Sequence, residues 1–178
     1  TFRSEFDSMS DDFRIVVCFD VESIDPERLS KMVSLGYYVN REGSSDSECL
    51  EKGVIYFPFN VQFANPKTWV EFWNNRQRVS AEIYDNHVKA STEMGLDPFS
   101  KDETILEEFR TKSGRVRKYI TTQIKKFSDL LKRLEESYPG KVVICKETNF
   151  DSSSVDYYFE EFLEETNLSY ARLSGGAF

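Results

Sequence analysis

Apolar residues follow two different spacings along the chain, and the spacing changes after residue 63. Short continuous apolar runs are typical of buried β-strands and occur over residues 13–19, 31–39, 54–63 and 141–145. Residues 41–53 are rich in Ser, Glu and Gly, which predicts a loop between the second and third strands. Pro58 lacks an amide hydrogen and therefore predicts an edge position for the third strand.

Spacings of three and four residues begin after Pro66, which a first helical turn tolerates. Residues 65–91 predict one or two helices, and the apolar positions from Val116 to Tyr138 predict one long amphipathic helix. Residues 152–167 predict another helix, with Ser153 and Asp156 spaced as a capping box, and residues 168–173 predict a fifth strand. This order predicts an α/β fold, a mixed sheet of about five strands with helices on its faces.

Composition places the chain among globular proteins, because 39% of its 178 residues are apolar and 15% are aromatic. We expect a flexible arm over residues 1–12 and one domain over residues 13–178. No apolar run approaches the roughly 20 residues of a membrane-spanning helix, so no membrane contact is predicted. The odd cysteine count argues against a disulfide framework, and Cys18 and Cys145 lie in apolar runs; both features favour a reducing, intracellular setting.

Three carboxylates are candidates for a shared metal site. Asp20 and Glu22 end the first apolar run two residues apart, so a strand would direct both side chains to one face. Asp151 follows the fourth run, and it would join them at one sheet edge if the first and fourth strands were neighbours. Such oxygen ligands suit Mg²⁺ or Mn²⁺, and two ions together can activate water for phosphodiester cleavage. Taken singly, each acid is more typical of a solvated turn or a helix N-terminus.

Several stretches together resemble the DEDD superfamily of 3′–5′ exonucleases. "VVCFDVES" is similar to the first motif of that family, and "SKMVSLGYYV" is similar to its second strand, with Gly36 in place of the usual glycine. "NFDSSSVDYYFEEFL" resembles the second motif, an Asn before Phe-Asp and then a helix. "NPKTWVEFWNNRQ" is similar to a branch in which a Thr followed by Phe-Trp opens the first helix after the hairpin. The resemblance extends over residues 13–173.

The resemblance implies an RNase H-like fold in which Asp20, Glu22 and Asp151 hold two Mg²⁺ or Mn²⁺ ions and hydrolyse nucleic acid from its 3′ end. The family also uses a fourth Asp preceded by His or Tyr, and no such motif follows before Phe178. We therefore expect the chain to be a fragment. The alternatives are an acid supplied from elsewhere or a catalytically inactive binding or scaffold module. A different RNase H-like enzyme, such as a nicking endonuclease, is a further alternative.

A basic segment is the candidate contact for nucleic acid on a chain whose net charge is −8. Residues 110–126 contain seven basic residues and no acidic one, although a solvated helix face would look the same. The candidate binding residues are Arg110, Lys112, Arg115, Arg117 and Lys118. The expected partner is a single strand or a 3′ end, either DNA or RNA. The only histidine, His87, is predicted to lie on an exposed helix surface and is not proposed as a base.

Overall fold

The computed structural model describes residues 13–25, 31–43, 47–111, 114–146 and 170–171. The strands are β1 (Arg14–Ser23), β2 (Met32–Glu42), β3 (Ser47–Tyr56), β4 (Val142–Lys146) and β5 (Tyr170–Ala171). The helices are the one-turn α1 (Pro66–Thr68), α2 (Ala81–Glu93), α3 (Glu103–Arg110) and α4 (Arg115–Ser137). A 3₁₀ turn (Val61–Phe63) precedes α1, and a π-helical turn (Trp69–Trp73) continues it.

The strands form one mixed sheet in the order β3-β2-β1-β4-β5. β2 pairs antiparallel with both β1 and β3, whereas β4 runs parallel to β1. The predicted α/β class with a mixed sheet is therefore confirmed. Two residues of β5 are described, and the rest of the strand predicted over residues 168–173 lies outside the described residues. The predicted helix over residues 152–167, with its capping box, and the predicted arm over residues 1–12 also lie outside them.

Strand β1 is buried on both faces, because residues 15–19 are at most 1% exposed. One set of its side chains belongs to the main core with α4: Ile15, Val17, Phe19 and Val21. We call this side of the sheet the α4 face. The alternate side chains lie on the other side, which we call the carboxylate face: Val16, Cys18, Asp20 and Glu22. A continuous apolar run is therefore what this central strand requires.

The long helix α4 covers the sheet through the apolar stripe that its spacing predicted. Its buried apolar residues are Val116, Ile120, Ile124, Phe127, Leu130, Leu131 and Leu134. The ring of Phe127 meets those of Phe19 and Tyr37 at centroid distances of 6.1 and 5.8 Å. Arg133 donates to both carboxylate oxygens of Glu51 at 3.0 Å, which ties the helix to β3.

A smaller core lies at the end of β1, where the strand pairing becomes irregular. Glu22 pairs with Ser34 but Ser23 pairs with Met32, which leaves Val33 as an extra residue in β2. Met32 then packs in the main core, whereas its neighbour Val33 packs in a second cluster. The buried members of that cluster are Ile24, Val33, Phe59, Trp73 and Val79.

Two sequence predictions about the region between β2 and α1 are wrong. Residues 47–53, predicted as loop, belong to β3, because pairing with β2 satisfies their backbone while their polar side chains tolerate an edge position. The strand predicted over residues 54–63 ends at Tyr56, and the buried segment after it is irregular through Asn60. Pro58 therefore follows the edge strand rather than lying within it.

Helix α3 was not predicted from the sequence. Its start is defined by Asp102, whose carboxylate accepts a hydrogen bond from the Thr104 amide at 2.9 Å. The helix has eight residues, and Leu106 is the one buried side chain among them. No helix within the described residues combines the length and the apolar character that crossing a membrane requires.

Two fully buried serines predict opposite responses to removal of a hydroxyl group. The Ser91 hydroxyl donates to the Leu96 carbonyl at 2.8 Å. The Ser128 hydroxyl, in contrast, is the one buried polar side-chain group in the described residues that has no hydrogen-bond partner. We expect Ser91→Ala to lower the free energy of unfolding by about 1–3 kcal/mol and Ser128→Ala to leave it unchanged or raise it by about 1 kcal/mol. Urea unfolding of both variants tests this, and equal losses would contradict it.

Candidate functional site

The carboxylates of β1 lie where the strand leaves the core. Asp20 pairs with Gly36 and Glu22 pairs with Ser34, both on β2. Asp20 is exposed and Glu22 is half-buried, whereas Val21 between them is buried on the α4 face. The prediction that both acids share one face therefore agrees with the observed alternation.

The parallel neighbour β4 ends at the same edge of the sheet. Phe19 pairs with Lys146, the last residue of β4, so Asp20 and Glu22 lie just beyond that register position. The predicted third acid, Asp151, follows Lys146 in the chain but lies outside the described residues. The pairing thus meets the condition that the sequence prediction set, namely that the first and fourth strands are neighbours.

A cleft of about 400 Å³ lies beside Glu22. Its charged lining consists of two carboxylates, Glu22 and Glu71, and two cations, Lys67 and Arg78. Thr68 and Phe72 complete the side formed by α1 and the π-helical turn. Lys67, Glu71 and Arg78 were not predicted as site residues, because they are too far from Glu22 along the chain to form a local sequence pattern with it.

Three hydrogen bonds fix that side of the cleft. The backbone amide of Asn65 donates to the Ile24 carbonyl at 2.9 Å, and the Trp73 indole donates to the Ser23 carbonyl at 3.0 Å. The Asn65 side chain also accepts a hydrogen bond from the Thr68 backbone amide at 3.1 Å, so Asn65 caps the N-terminus of α1, whose first residue is Pro66. The π-helical turn is therefore attached to β1 directly after its carboxylates.

The metal prediction can be assessed from the donors present. Asp20 and Glu22 supply carboxylate oxygens, the ligand type that Mg²⁺ and Mn²⁺ prefer. Within the described ranges, no group of three His, Cys, Asp or Glu side chains could hold a metal ion. Two carboxylates fit Mg²⁺, which usually keeps several waters when one or two carboxylates bind it. The pair is thus compatible with a hard cation.

The prediction that His87 lies on an exposed surface is wrong, because this residue is only 6% exposed. Its Nδ1 donates to the Ile83 carbonyl at 2.7 Å, since a carbonyl can only accept. Its Nε2 then accepts from the hydroxyl of Ser34, the cross-strand partner of Glu22, at 2.8 Å. The rings of Tyr56 and Trp73 each stand at 5.0 Å from the imidazole. Because both ring nitrogens form hydrogen bonds, His87 has a structural role and connects α2 to β2.

The basic segment is divided between two helices. Arg110 ends α3, whereas Arg115, Arg117 and Lys118 lie in the first turn of α4. Arg110 forms ion pairs with Glu103 and Glu107, and these hydrogen bonds raise its pKa, that to Glu103 most. Arg115 and Lys118 are exposed and Arg117 is half-buried, while Lys112 lies outside the described residues.

Comparison with protein-family models, with curated proteins and with solved structures finds no match to this chain. The functional interpretation therefore depends on the residues and their geometry.

None of the three cysteines, all of which are among the described residues, forms a disulfide bond, and two of them pack in the sheet. Cys18 and Cys145 are paired across β1 and β4 and are both fully buried, as the sequence predicted. Burial raises the pKa of Cys18 to about 12, and a hydrogen bond with Tyr38 opposes this only in part. Cys49 on β3 is exposed.

These thiols predict selective alkylation. A maleimide should label only Cys49 in the folded chain, because the thiolate is the reactive form and Cys18 and Cys145 are buried. Denaturant should expose all three. Peptide mass spectrometry before and after denaturation measures this, and early labelling of Cys18 would contradict the described packing.

The buried imidazole predicts a loss of stability in mild acid. Burial lowers the pKa of His87, whereas the unfolded chain protonates it near its ordinary pKa of about 6.5. The unfolded state then binds more protons, so the free energy of unfolding should fall below that pH, by at most about 1.4 kcal/mol per pH unit.

Urea unfolding between about pH 7 and pH 5.5 measures this slope, and His87→Gln is the matched variant because the chain has no other histidine. The variant should be less stable at pH 7 and should lack the slope. Equal slopes in both proteins would refute the assignment. If the variant does not fold, NMR titration of the imidazole in the natural chain gives its pKa directly.

Proposed function

We propose that this chain is an RNase H-like domain that hydrolyses nucleic acid from the 3′ end, using two Mg²⁺ or Mn²⁺ ions. The observation that carries the proposal is the position of Asp20 and Glu22, on one face of a central strand that has a parallel neighbour, at the edge where both strands end. The order β3-β2-β1-β4, with β3, β1 and β4 running in one direction, supports the RNase H-like assignment.

The chemistry of the strand end supports a metal-dependent hydrolase over other enzyme classes. Asp20 is exposed, so its carboxylate can reach a bound ion, and Glu22 lines a cleft that is open to substrate. The only histidine is occupied by Ile83 and Ser34, which leaves it unsuited to act as a nucleophile's base. The bound ions would polarise the phosphodiester and lower the pKa of the attacking water.

Within this proposal, each group of the site has a separate role. Asp20, Glu22 and Asp151 would hold the ions, and Lys67 and Arg78, which line the cleft together with Glu22, would contact the phosphates on either side of the scissile bond. Arg115, Arg117 and Lys118 would attract the strand toward this end of the sheet. The surrounding acidic surface would repel strands that approach elsewhere.

Cleavage assays on carboxylate variants test the proposal. A single-stranded oligonucleotide labelled at its 5′ end should be shortened stepwise with Mn²⁺ or Mg²⁺ and should stay intact with EDTA. Asp20→Asn, Glu22→Gln and Asp151→Asn should each lower the rate by at least about a hundredfold, since even outer-shell changes at metal sites cost 10–100-fold. Asp85→Asn, which changes an exposed acid on α2, is the matched control and should retain the rate.

The products separate the competing functions. A 3′-blocked substrate should resist an exonuclease, whereas internal cuts in it would indicate a nicking endonuclease and contradict the proposal. Binding of the oligonucleotide without cleavage under any metal would indicate an inactive binding module. Cleavage that survives Asp20→Asn would show that the site lies elsewhere.

A further inference from the structure

The aromatic side chain of Phe72 borders the cleft beside Glu22. Phe72 is half-buried, because part of its side chain packs against the second cluster while the rest lines the cleft. Its neighbour Trp73 differs, since it is only 3% exposed and is a buried member of that cluster. Of these two adjacent aromatic residues, Trp73 therefore supplies packing, and Phe72 presents an aromatic side chain to the cleft.

The position of the Phe72 ring is fixed relative to β1. The centroids of the Phe72 and Trp73 rings lie 5.2 Å apart, and the two rings are almost perpendicular, at 87°. The Trp73 indole in turn donates to the Ser23 carbonyl at 3.0 Å, and Ser23 directly follows Glu22 in the chain. One packed residue thus connects Phe72 to the backbone beside the carboxylate. A binding side chain needs such support from its neighbours to hold its geometry.

Phe72 also lies on an unusual element of the backbone. In the turn Trp69–Trp73, the Asn74 amide donates to the Trp69 carbonyl at 2.8 Å, five residues back along the chain. Hydrogen bonds of this spacing define the π-helix, which is rare and is found frequently at functional sites. The turn contributes both Glu71 and Phe72 to the lining of the cleft. The irregular backbone and the cleft therefore coincide at the same residues.

The size and lining of the cleft suit one nucleotide. Its volume of about 400 Å³ falls within the roughly 300–1,000 Å³ of small-molecule sites. Glu22, which lines the same cleft, is one of the proposed metal ligands, so a phosphodiester held by the ions would bring the adjoining base into the cleft. Nucleobases present flat π-faces, and proteins that bind single strands use aromatic side chains as platforms on which those bases stack.

We propose that Phe72 stacks on the base of the 3′-terminal nucleotide whose phosphodiester lies at Asp20 and Glu22. This assignment of the ligand rests on the proposed function. Stacking recognises a base without reading its identity, because every base has a π-face. The site should therefore bind the four bases with similar affinity. It should also favour an unpaired end over a paired one, in which the base is already stacked and hydrogen-bonded within the duplex.

Binding to strands with and without a terminal base tests the contact. A single strand labelled at its 5′ end and a matched strand with an abasic 3′-terminal nucleotide are titrated with the full chain and followed by fluorescence anisotropy. The titration uses Ca²⁺, which also takes oxygen ligands, and gel electrophoresis verifies that both strands remain intact. The natural chain should bind the complete strand about tenfold more tightly than the abasic one, a usual effect of one base–aromatic stack.

Variants of Phe72 separate stacking from packing. Phe72→Leu keeps an apolar side chain and removes the aromatic face, so the Kd of the complete strand should rise about tenfold and that of the abasic strand should stay unchanged. Phe72→Trp should retain the preference for the complete strand. Phe99→Ala is the matched control, because it truncates a 45% exposed ring away from the described lining of the cleft. Loss of the fold would raise both Kd values together, which distinguishes it from loss of stacking.

The outcomes distinguish this proposal from the nuclease proposal. Equal affinity of the natural chain for the two strands, no binding of either strand, or equal losses for both strands in Phe72→Leu would overturn the stacking contact. Base-dependent binding through Phe72 in a chain that cleaves no oligonucleotide would support the contact and reject the nuclease. Cleavage that Phe72→Leu leaves unchanged, with complete and abasic ends shortened at equal rates, would support the nuclease and reject the contact.

Discussion

The two-sided pairing of β1 is the constraint on which the rest of the structure depends. β1 pairs antiparallel with β2 and parallel with β4, and its side chains are buried on both faces from residue 15 to residue 19. Its backbone groups are therefore satisfied only while both neighbours are present. Because polar side chains are excluded from this span, Asp20 and Glu22 can appear only where the strand leaves the core. The parallel pairing brings the end of β4 to the same edge, the usual place for ligands in sheets with parallel strands.

The packing behind this strand end is aromatic and closely hydrogen-bonded. Trp73 reaches the backbone of β1, and His87 joins α2 to Ser34 on β2, the partner of Glu22. Both nitrogens of the buried imidazole have hydrogen-bond partners, so its burial leaves no ring nitrogen unsatisfied. The proposed metal ligands need such support, because packed neighbouring side chains hold a ligand in the geometry that binding requires.

Charge is distributed unevenly around the same edge. Lys67 and Arg78 line the cleft beside Glu22, whereas Lys31, Arg110 and Arg117 line a separate cavity of about 190 Å³ that Val116 and Ile120 of α4 also line. Farther away, Lys125 pairs with Asp129 and Arg133 with Glu51, so the net negative charge dominates. Under the proposed function, a phosphate chain would be attracted to the strand end over a Debye length of about 8 Å at physiological salt. Under the same proposal, Lys67 and Arg78 would offset the repulsion between the phosphates and the acidic pair.

The sequence by itself determined the elements whose signal is local. The apolar run of β1, the three-and-four spacing of α4 and the shared face of Asp20 and Glu22 follow from periodicity within a few turns or residues. Only the tertiary structure decided the strand character of residues 47–53, because an edge strand owes its stability to cross-strand pairing rather than to its own composition. It also decided the burial of His87 and the grouping of Lys31 with Arg117. Those contacts join positions that are distant in the chain, and no local pattern encodes which of them the packed core brings together.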